Sequence, residues 1–144
     1  MIFGGNYFTD FLMPSRCWIV WDKQNTGNFA DAELCWTSFS KSVKLYHWLW
    51  NGRSRQGDRA TEGTHRVHPT QKPVGLFENI LNDFSDNEAK VLDCFGGSGS
   101  VLIACEKTGR KCYMMEYEEY YCDVIIQRWE TFTGKKAIKL GGAE

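Results

Sequence analysis

The sequence predicts an α/β fold, a mostly parallel sheet flanked by helices, and three observations carry that expectation. The C-terminal half alternates short apolar runs with amphipathic stretches in the order strand, glycine loop, helix, strand. The run Val91-Leu-Asp-Cys-Phe-Gly-Gly-Ser-Gly-Ser100 leads an apolar strand through a carboxylate into glycines, as where a strand turns into a helix. At 144 residues the chain has the size of a single domain with a sizeable core, so residues 1–144 are expected to form one.

The elements follow from local pattern. Met1 to Asn6 reads as the end of a buried strand, and Asn6 to Met13 as a short helix stopped by Pro14. Cys17-Trp-Ile-Val-Trp21 is a dense apolar strand, Ala32 to Phe39 a strand or turn, and Lys44-Leu-Tyr-His-Trp-Leu-Trp50 an aromatic strand closed by Asn51-Gly52. Arg53 to Val67 has almost no large apolar residue and is expected as a long surface loop. After Pro69 and Pro73, the spacing of Leu76, Phe77, Ile80, Leu81 and Phe84 predicts a helix over 74–84. Strands are predicted at Lys90 to Asp93 and Lys111 to Glu116, and helices at Ser100 to Lys107, with Gly109 as C-cap, and Glu118 to Phe132. Ala137 to Leu140 is expected as a last short strand.

Bulk properties exclude several classes. A formal net charge of -1 carries no overall basicity, so any contact with a polyanion must be local. The cysteines, Cys17, Cys35, Cys94, Cys105, Cys112 and Cys122, form no CxxC pair and are expected as reduced thiols, mostly small core residues, of a cytoplasmic protein. His47, His65 and His68 stand beside no cysteine at zinc-ligand spacing, so no metal site is expected. No long apolar span suggests a membrane.

Gly96, Gly97 and Gly99 would let backbone N–H groups approach a ligand at a helix N-terminus, but their spacing matches neither GxGxxG nor GxxxxGK. Asp93 at the strand end would repel a pyrophosphate and attract an ammonium or sulfonium. Glu116 ends the next strand 19 positions after Gly97, near the spacing at which an acid accepts both ribose hydroxyls. Together they describe a cationic nucleoside, which S-adenosyl-L-methionine fits better than NAD or ATP. The plainer readings stay open: a turn joining strand to helix, a solvated Glu116, and Tyr117 either over an adenine or in the core.

The segment His68-Pro-Thr-Gln-Lys-Pro-Val74 followed by Asp93-Cys-Phe-Gly-Gly-Ser-Gly-Ser100 resembles the permuted (beta-type) class of amino-methylating DNA methyltransferases, which act on adenine N6 or cytosine N4. Ile2-Phe-Gly-Gly-Asn-Tyr-Phe8, Trp18-Ile-Val-Trp-Asp-Lys23 and Ala32-Glu-Leu-Cys-Trp-Thr-Ser38 extend the resemblance along nearly the whole chain. It implies a Rossmann-like methyltransferase fold using S-adenosyl-L-methionine on double-stranded DNA, adenine N6 before cytosine N4. Residues 1–50 would be the remainder of the target-base half, 51–67 the DNA-recognition loop and 68–144 the cofactor half. Asp93, Phe95, Gly97, Ser98 and Gly99 would contact the methionine end of the cofactor, Glu116 its ribose, and Thr70, Gln71, Lys72 and Pro73 would wrap the methionine moiety. Arg53, Arg55, Arg59, His65 and Arg66 would engage DNA. From the residues alone, the HPTQKP segment is equally a rigid lead-in to a helix, and the arginine-rich loop an ordinary solvated one. One or two of Trp18, Trp21, Trp36, Tyr46, Trp48 and Trp50 would stack a flipped base, the rest entering the core.

The sequence departs from the family in one respect. Family members carry a D/N-P-P-Y/F segment whose polar groups accept hydrogen bonds from the target amino group, and here Pro14, Pro69 and Pro73 are never adjacent. The sheet is therefore expected to be incomplete at its central catalytic strand, and no catalytic residue is assigned. The departure implies a truncated gene, a partner chain or homodimer supplying the strand, or a rearranged pairing. The alternative is a remnant that binds cofactor or DNA without catalysis, or half of a split enzyme; methylation of RNA or protein by the same fold also stays open.

Overall fold

The computed structural model describes residues 1–25, 30–51, 55–63 and 65–141. They form two compact units, Met1–Gln56 and Gly57–Glu144, whose boundary falls inside the segment expected as a recognition loop.

The first unit is a four-stranded sheet. Its strands are β1 (Ile2–Phe3), β2 (Trp18–Asp22), β3 (Ala32–Trp36) and β4 (Lys44–His47), in the order β1-β3-β2-β4. β3 runs antiparallel to β1 and β2, while β2 and β4 are parallel. Period-two alternation buries Ile19 and Trp21, with Cys35 opposite Ile19 in the ladder. Loop backbone is tied down by side chains: Thr37 Oγ1 donates to the Cys17 carbonyl at 2.6 Å and Trp21 Nε1 to the Trp48 carbonyl at 3.0 Å. β1 differs from expectation, being a two-residue edge with Ile2 exposed. The expected helix over 6–13 is reduced to a 3-10 turn at Gly5–Tyr7, followed by the bonds Phe11 N–H and Leu12 N–H to the Phe8 carbonyl. Tyr7, Phe11 and Met13 are exposed, so no packed face stabilises a longer helix against its nucleation cost.

The second unit holds α1 (Arg59–Glu62), α2 (Val74–Phe84), β5 (Lys90–Asp93), α3 (Ser100–Thr108), β6 (Lys111–Met114) and α4 (Glu119–Thr133). β5 and β6 pair in parallel, Leu92 opposite Tyr113, across the α3 crossover. Apolar spacing works as read from sequence: α2 buries Leu76, Ile80, Leu81 and Phe84. Val74 and Leu81 meet Ile103, Ala104 and Cys105 of α3, with Val91 and Cys112 of the sheet packed against them. Gly109 takes the left-handed conformation, φ 71°, and ends α3. The expected strand at 137–140 is not formed. The Ala137 N–H donates to the Glu130 carboxylate at 2.9 Å, Lys136 pairs with the same carboxylate, and Ile138 and Leu140 are exposed. A groove of about 510 Å³ lies instead beside β6, lined by Tyr113, Ile126, Trp129 and Ala137 among others.

Candidate functional site

Parallel strands bring their carboxyl ends to one side of the second unit, and there the sheet presents two acids. Asp93 ends β5 and its Oδ1 accepts the Phe95 N–H at 3.0 Å. Burial holds the Asp93 carboxyl above the usual aspartate range in spite of that bond, and the nearby charge of Glu116 pushes the same way. Glu116, just past β6, does the opposite. Its Oε1 accepts the N–H groups of Glu118 at 3.0 Å and Tyr117 at 2.9 Å, and its Oε2 accepts that of Gly97 at 2.6 Å. Those donors, Glu118 foremost, hold its carboxyl below the usual glutamate range. Two acids with separated titrations flank one glycine loop.

The loop needs its glycines for two reasons. Gly97 and Gly99 have φ 53° and 76°, and a Cβ on Gly99 would lie 3.2 Å from the Ile125 side chain of α4. Gly96 has ordinary φ but sits where a Cβ would meet Met114 at 2.8 Å. Ser98 is buried with its Oγ 3.2 Å from that of Ser100. Phe95 and Tyr117 are 90% and 94% exposed, so Tyr117 is not a core residue.

The HPTQKP turn lies against this loop through a residue that carried no role in the sequence reading. The His68 ring is 3.6 Å from where a Gly97 Cβ would be and packs against Tyr121 of α4 in a tilted arrangement, 4.3 Å between centroids and 57° between planes. Its Nδ1 accepts the Thr70 N–H at 3.1 Å, which places the ring proton on Nε2, and burial keeps the imidazole below the usual histidine range. The Lys72 charge acts on both Asp93 and His68. Thr70 is exposed, and Pro73 is buried as the N-cap of α2. Gln71 has another task. It is buried, its Oε1 accepts the Val67 N–H at 3.0 Å and its Nε2 donates to the Glu62 carbonyl at 3.2 Å.

Gln71 thus fastens the basic segment, which is not the free surface loop expected. Asp58 caps α1 by accepting the Ala60 N–H at 2.9 Å, and Glu62 turns inward, 4% exposed, to accept the Gly75 N–H at 3.3 Å. Arg59, His65 and Arg66 remain exposed on this arm, Arg66 donating to the Pro69 carbonyl. Arg55 belongs to the first unit, half-buried with its guanidinium 5.4 Å from the Trp50 ring centre. Arg53 lies outside the described residues. Among the described residues no cluster of His, Cys, Asp or Glu is arranged to hold a metal, and no helix is long and apolar enough to cross a membrane.

Comparison with known proteins bears on this geometry. M2.MboI of Moraxella bovis, a type II methyltransferase, is 28% identical over 135 residues, covering 80% of this chain and 50% of that protein. M.ScaI of Streptomyces caespitosus, also a type II methyltransferase, is 31% identical over 81 residues, 52% of this chain and 27% of that one. The crystal structure of the M1.HpyAVI–SAM complex superposes with a TM-score of 0.57 at 25% identity, covering 78% of this chain and 60% of that chain. The chain therefore spans half or less of the length of these two curated relatives. The N6_N4_Mtase family model, described as DNA methylase, matches residues 21–128, from β2 through the glycine loop and both strand-end acids to α4. The chain belongs to this family of DNA methylases.

Proposed function

We propose that the chain carries the cofactor-binding part of an S-adenosyl-L-methionine-dependent DNA methyltransferase that modifies an exocyclic base amino group, adenine N6 before cytosine N4. One observation carries the reading: a glycine loop between parallel strands, with Asp93 and Glu116 at the two strand ends. A ligand with an ammonium at one end and a ribose diol at the other matches two carboxylates on either side of a backbone cradle. The M1.HpyAVI structure holds SAM at 25% identity to this chain.

The residues divide the work by chemistry. Asp93, with the Lys72 charge acting on it, would hold the amino-acid end of the cofactor, and Glu116 the ribose, through about one lone-pair site that its three backbone bonds leave. Gly97 and Gly99 supply the left-handed backbone that shapes the cradle, and exposed Phe95 and Tyr117 supply flat apolar faces beside it. The cofactor supplies the electrophilic methyl group. The basic arm with Arg59, His65 and Arg66 would meet phosphates and base edges of double-stranded DNA, Arg53 and Arg55 joining it from the preceding segment. No Pro-Pro pair exists in the sequence to accept hydrogen bonds from the target amino group. A segment from outside these 144 residues would supply those acceptors in the active assembly, and β5, paired on one side only by β6 among the described residues, offers an edge for it.

Calorimetry with S-adenosyl-L-methionine tests the reading. Binding by the native chain, weakened about tenfold or more by Asp93→Asn through loss of a charge-assisted contact, is the expected result. Absence of binding at millimolar ligand would overturn it. Binding with no methyl transfer to duplex DNA, even when a D-P-P-Y-bearing segment is added, would favour a non-catalytic remnant, the reading to which the missing Pro-Pro pair points.

A further inference from the structure

The basic arm and the glycine loop are joined by one side chain. Arg128 of α4 donates through Nη2 to the Thr61 carbonyl at 2.8 Å and through Nη1 to the Ser98 carbonyl. Thr61 is in α1, the short helix of the arm, and Ser98 is the buried residue of the glycine loop. Glu62 sits beside this bridge. Its Oε1 accepts from Gly75 at the start of α2, its Oε2 is buried, and burial of the carboxyl is opposed first by the backbone N–H groups of Val74 and Gly75 and then by the charge of Arg128. A Cβ on Gly57, φ 127°, would stand 2.7 Å from Glu62 Cγ, so the arm closes onto this side chain at its first residue.

We propose that Arg128, with Glu62 as its buried counter-charge, is a positioning residue that couples the DNA-facing arm to the cofactor loop. A guanidinium suits the task because its planar fork can serve two carbonyls at fixed separation, whereas an ammonium is a point donor. Neither carbonyl can shift without straining the bond to the other. Burying a carboxylate and a guanidinium together is costly, and replacing them by apolar residues would ordinarily serve stability as well or better. The pair fits a requirement for register between two segments more readily than one for stability. Burial also pushes the Glu62 carboxyl up and the Arg128 guanidinium down, as expected of charges kept out of water by their surroundings.

By reciprocity, a duplex that orders the arm tightens the cofactor loop, and cofactor tightens the arm. Occupancy of one surface then sets the competence of the other. The sense of the coupling rests on the function proposed above; the mechanical link does not.

Amide hydrogen exchange on the native chain tests the link without any ligand. Arg128→Lys retains the charge opposite Glu62 and can reach one carbonyl, so it is the informative variant; Arg128→Met is the harsher one. Losing one charge-assisted hydrogen bond is expected to speed exchange about tenfold or more, together, at Glu62, Gly63 and Val67 of the arm and at Gly97 and Gly99 of the loop. The amides of α3 between Ile103 and Thr108 keep their protection. A response confined to one segment, or a uniform loss that includes α3, would overturn the proposal, the latter by making Arg128 an ordinary stability residue. A second measurement gives the coupling itself: duplex DNA should raise cofactor affinity in the native chain and not in Arg128→Lys. If the native chain binds no S-adenosyl-L-methionine, the proposed function fails, and the exchange result still decides whether arm and loop move as one.

Discussion

Asp93 and Glu116 are acids of the same site displaced in opposite directions, and the cause differs for each. Burial leads for Asp93, and backbone N–H donors lead for Glu116. The linkage signs follow. Glu116 binds its proton less tightly folded than unfolded, so the stability it contributes is complete above its ordinary range and is lost as pH falls through its lowered value. Asp93 binds its proton more tightly folded, so its contribution is present below its ordinary range and is lost as pH rises through its raised value. The bond from Gly97 N–H makes this visible. Its amide resonance is expected to titrate at a pH below the usual glutamate range, and Glu116→Gln to remove that titration; a Gly97 amide that follows the Asp93 titration instead would put the tether on the wrong acid. The sequence placed Asp93 at the end of β5 because the glycine loop fixes where that strand stops, whereas β6 ends at Met114, just before Glu116. It gave no sign that Glu116 already holds the loop, since that bond goes to a backbone N–H.

The same blindness recurs among the elements. α2, β5, α3, β6 and α4 were legible because apolar spacing and left-handed glycines are written in side chains or their absence. What fastens the elements was not. Arg110 reads as an ordinary surface arginine after Gly109, yet it is buried and closes the C-terminus of α2. Its Nη2 donates to the Ser85 carbonyl at 2.9 Å and the Leu81 carbonyl at 3.3 Å, its Nη1 to Asn82 Oδ1 at 3.0 Å and the Thr108 carbonyl at 2.8 Å. A cation there satisfies the helix's orphan carbonyls and opposes its dipole. Arg110→Met is therefore expected to cost about 2–4 kcal/mol, the scale of losing charged hydrogen bonds at a buried site, seen as a lower urea midpoint with unchanged slope. A loss below about 0.5 kcal/mol, the level of ordinary surface changes, would mean that the cap contributes nothing measurable. Glu62, Gln71 and Arg128 were hidden for the same reason: their partners are mostly main-chain atoms, which have no letter in a sequence. The arm looked like solvent-facing loop because its letters are polar, and polarity cannot tell an exposed acid from one buried against a guanidinium.

At the scale of the molecule, the two units differ in completeness. β5 and β6 form a parallel pair that helices pack against, but Leu92 and Tyr113, opposite each other in the ladder, are exposed, as is Met115. Parallel sheets are ordinarily covered on both faces. The exposed pair and the open edge of β5 are expected to make the isolated chain associate with rising concentration. Leu92→Lys should return it towards monomer mass in sedimentation velocity; a native chain that is monomeric across the whole series would show that this surface does not attract a second copy. The sequence shows Leu92 only as an apolar residue of a strand, since the lack of a covering layer depends on which elements the chain contains and where they fold. The tethering of the arm bears on divergence. Anchors at Glu62 and at Val67, the latter held by Gln71, bracket the exposed His65 and Arg66. Side chains such as His65 and Arg66 can be exchanged between them while Glu62, Gln71 and Arg128 keep the register beneath, so descendants of such a chain could change the surface they present one residue at a time while the proposed cofactor cradle stayed inherited.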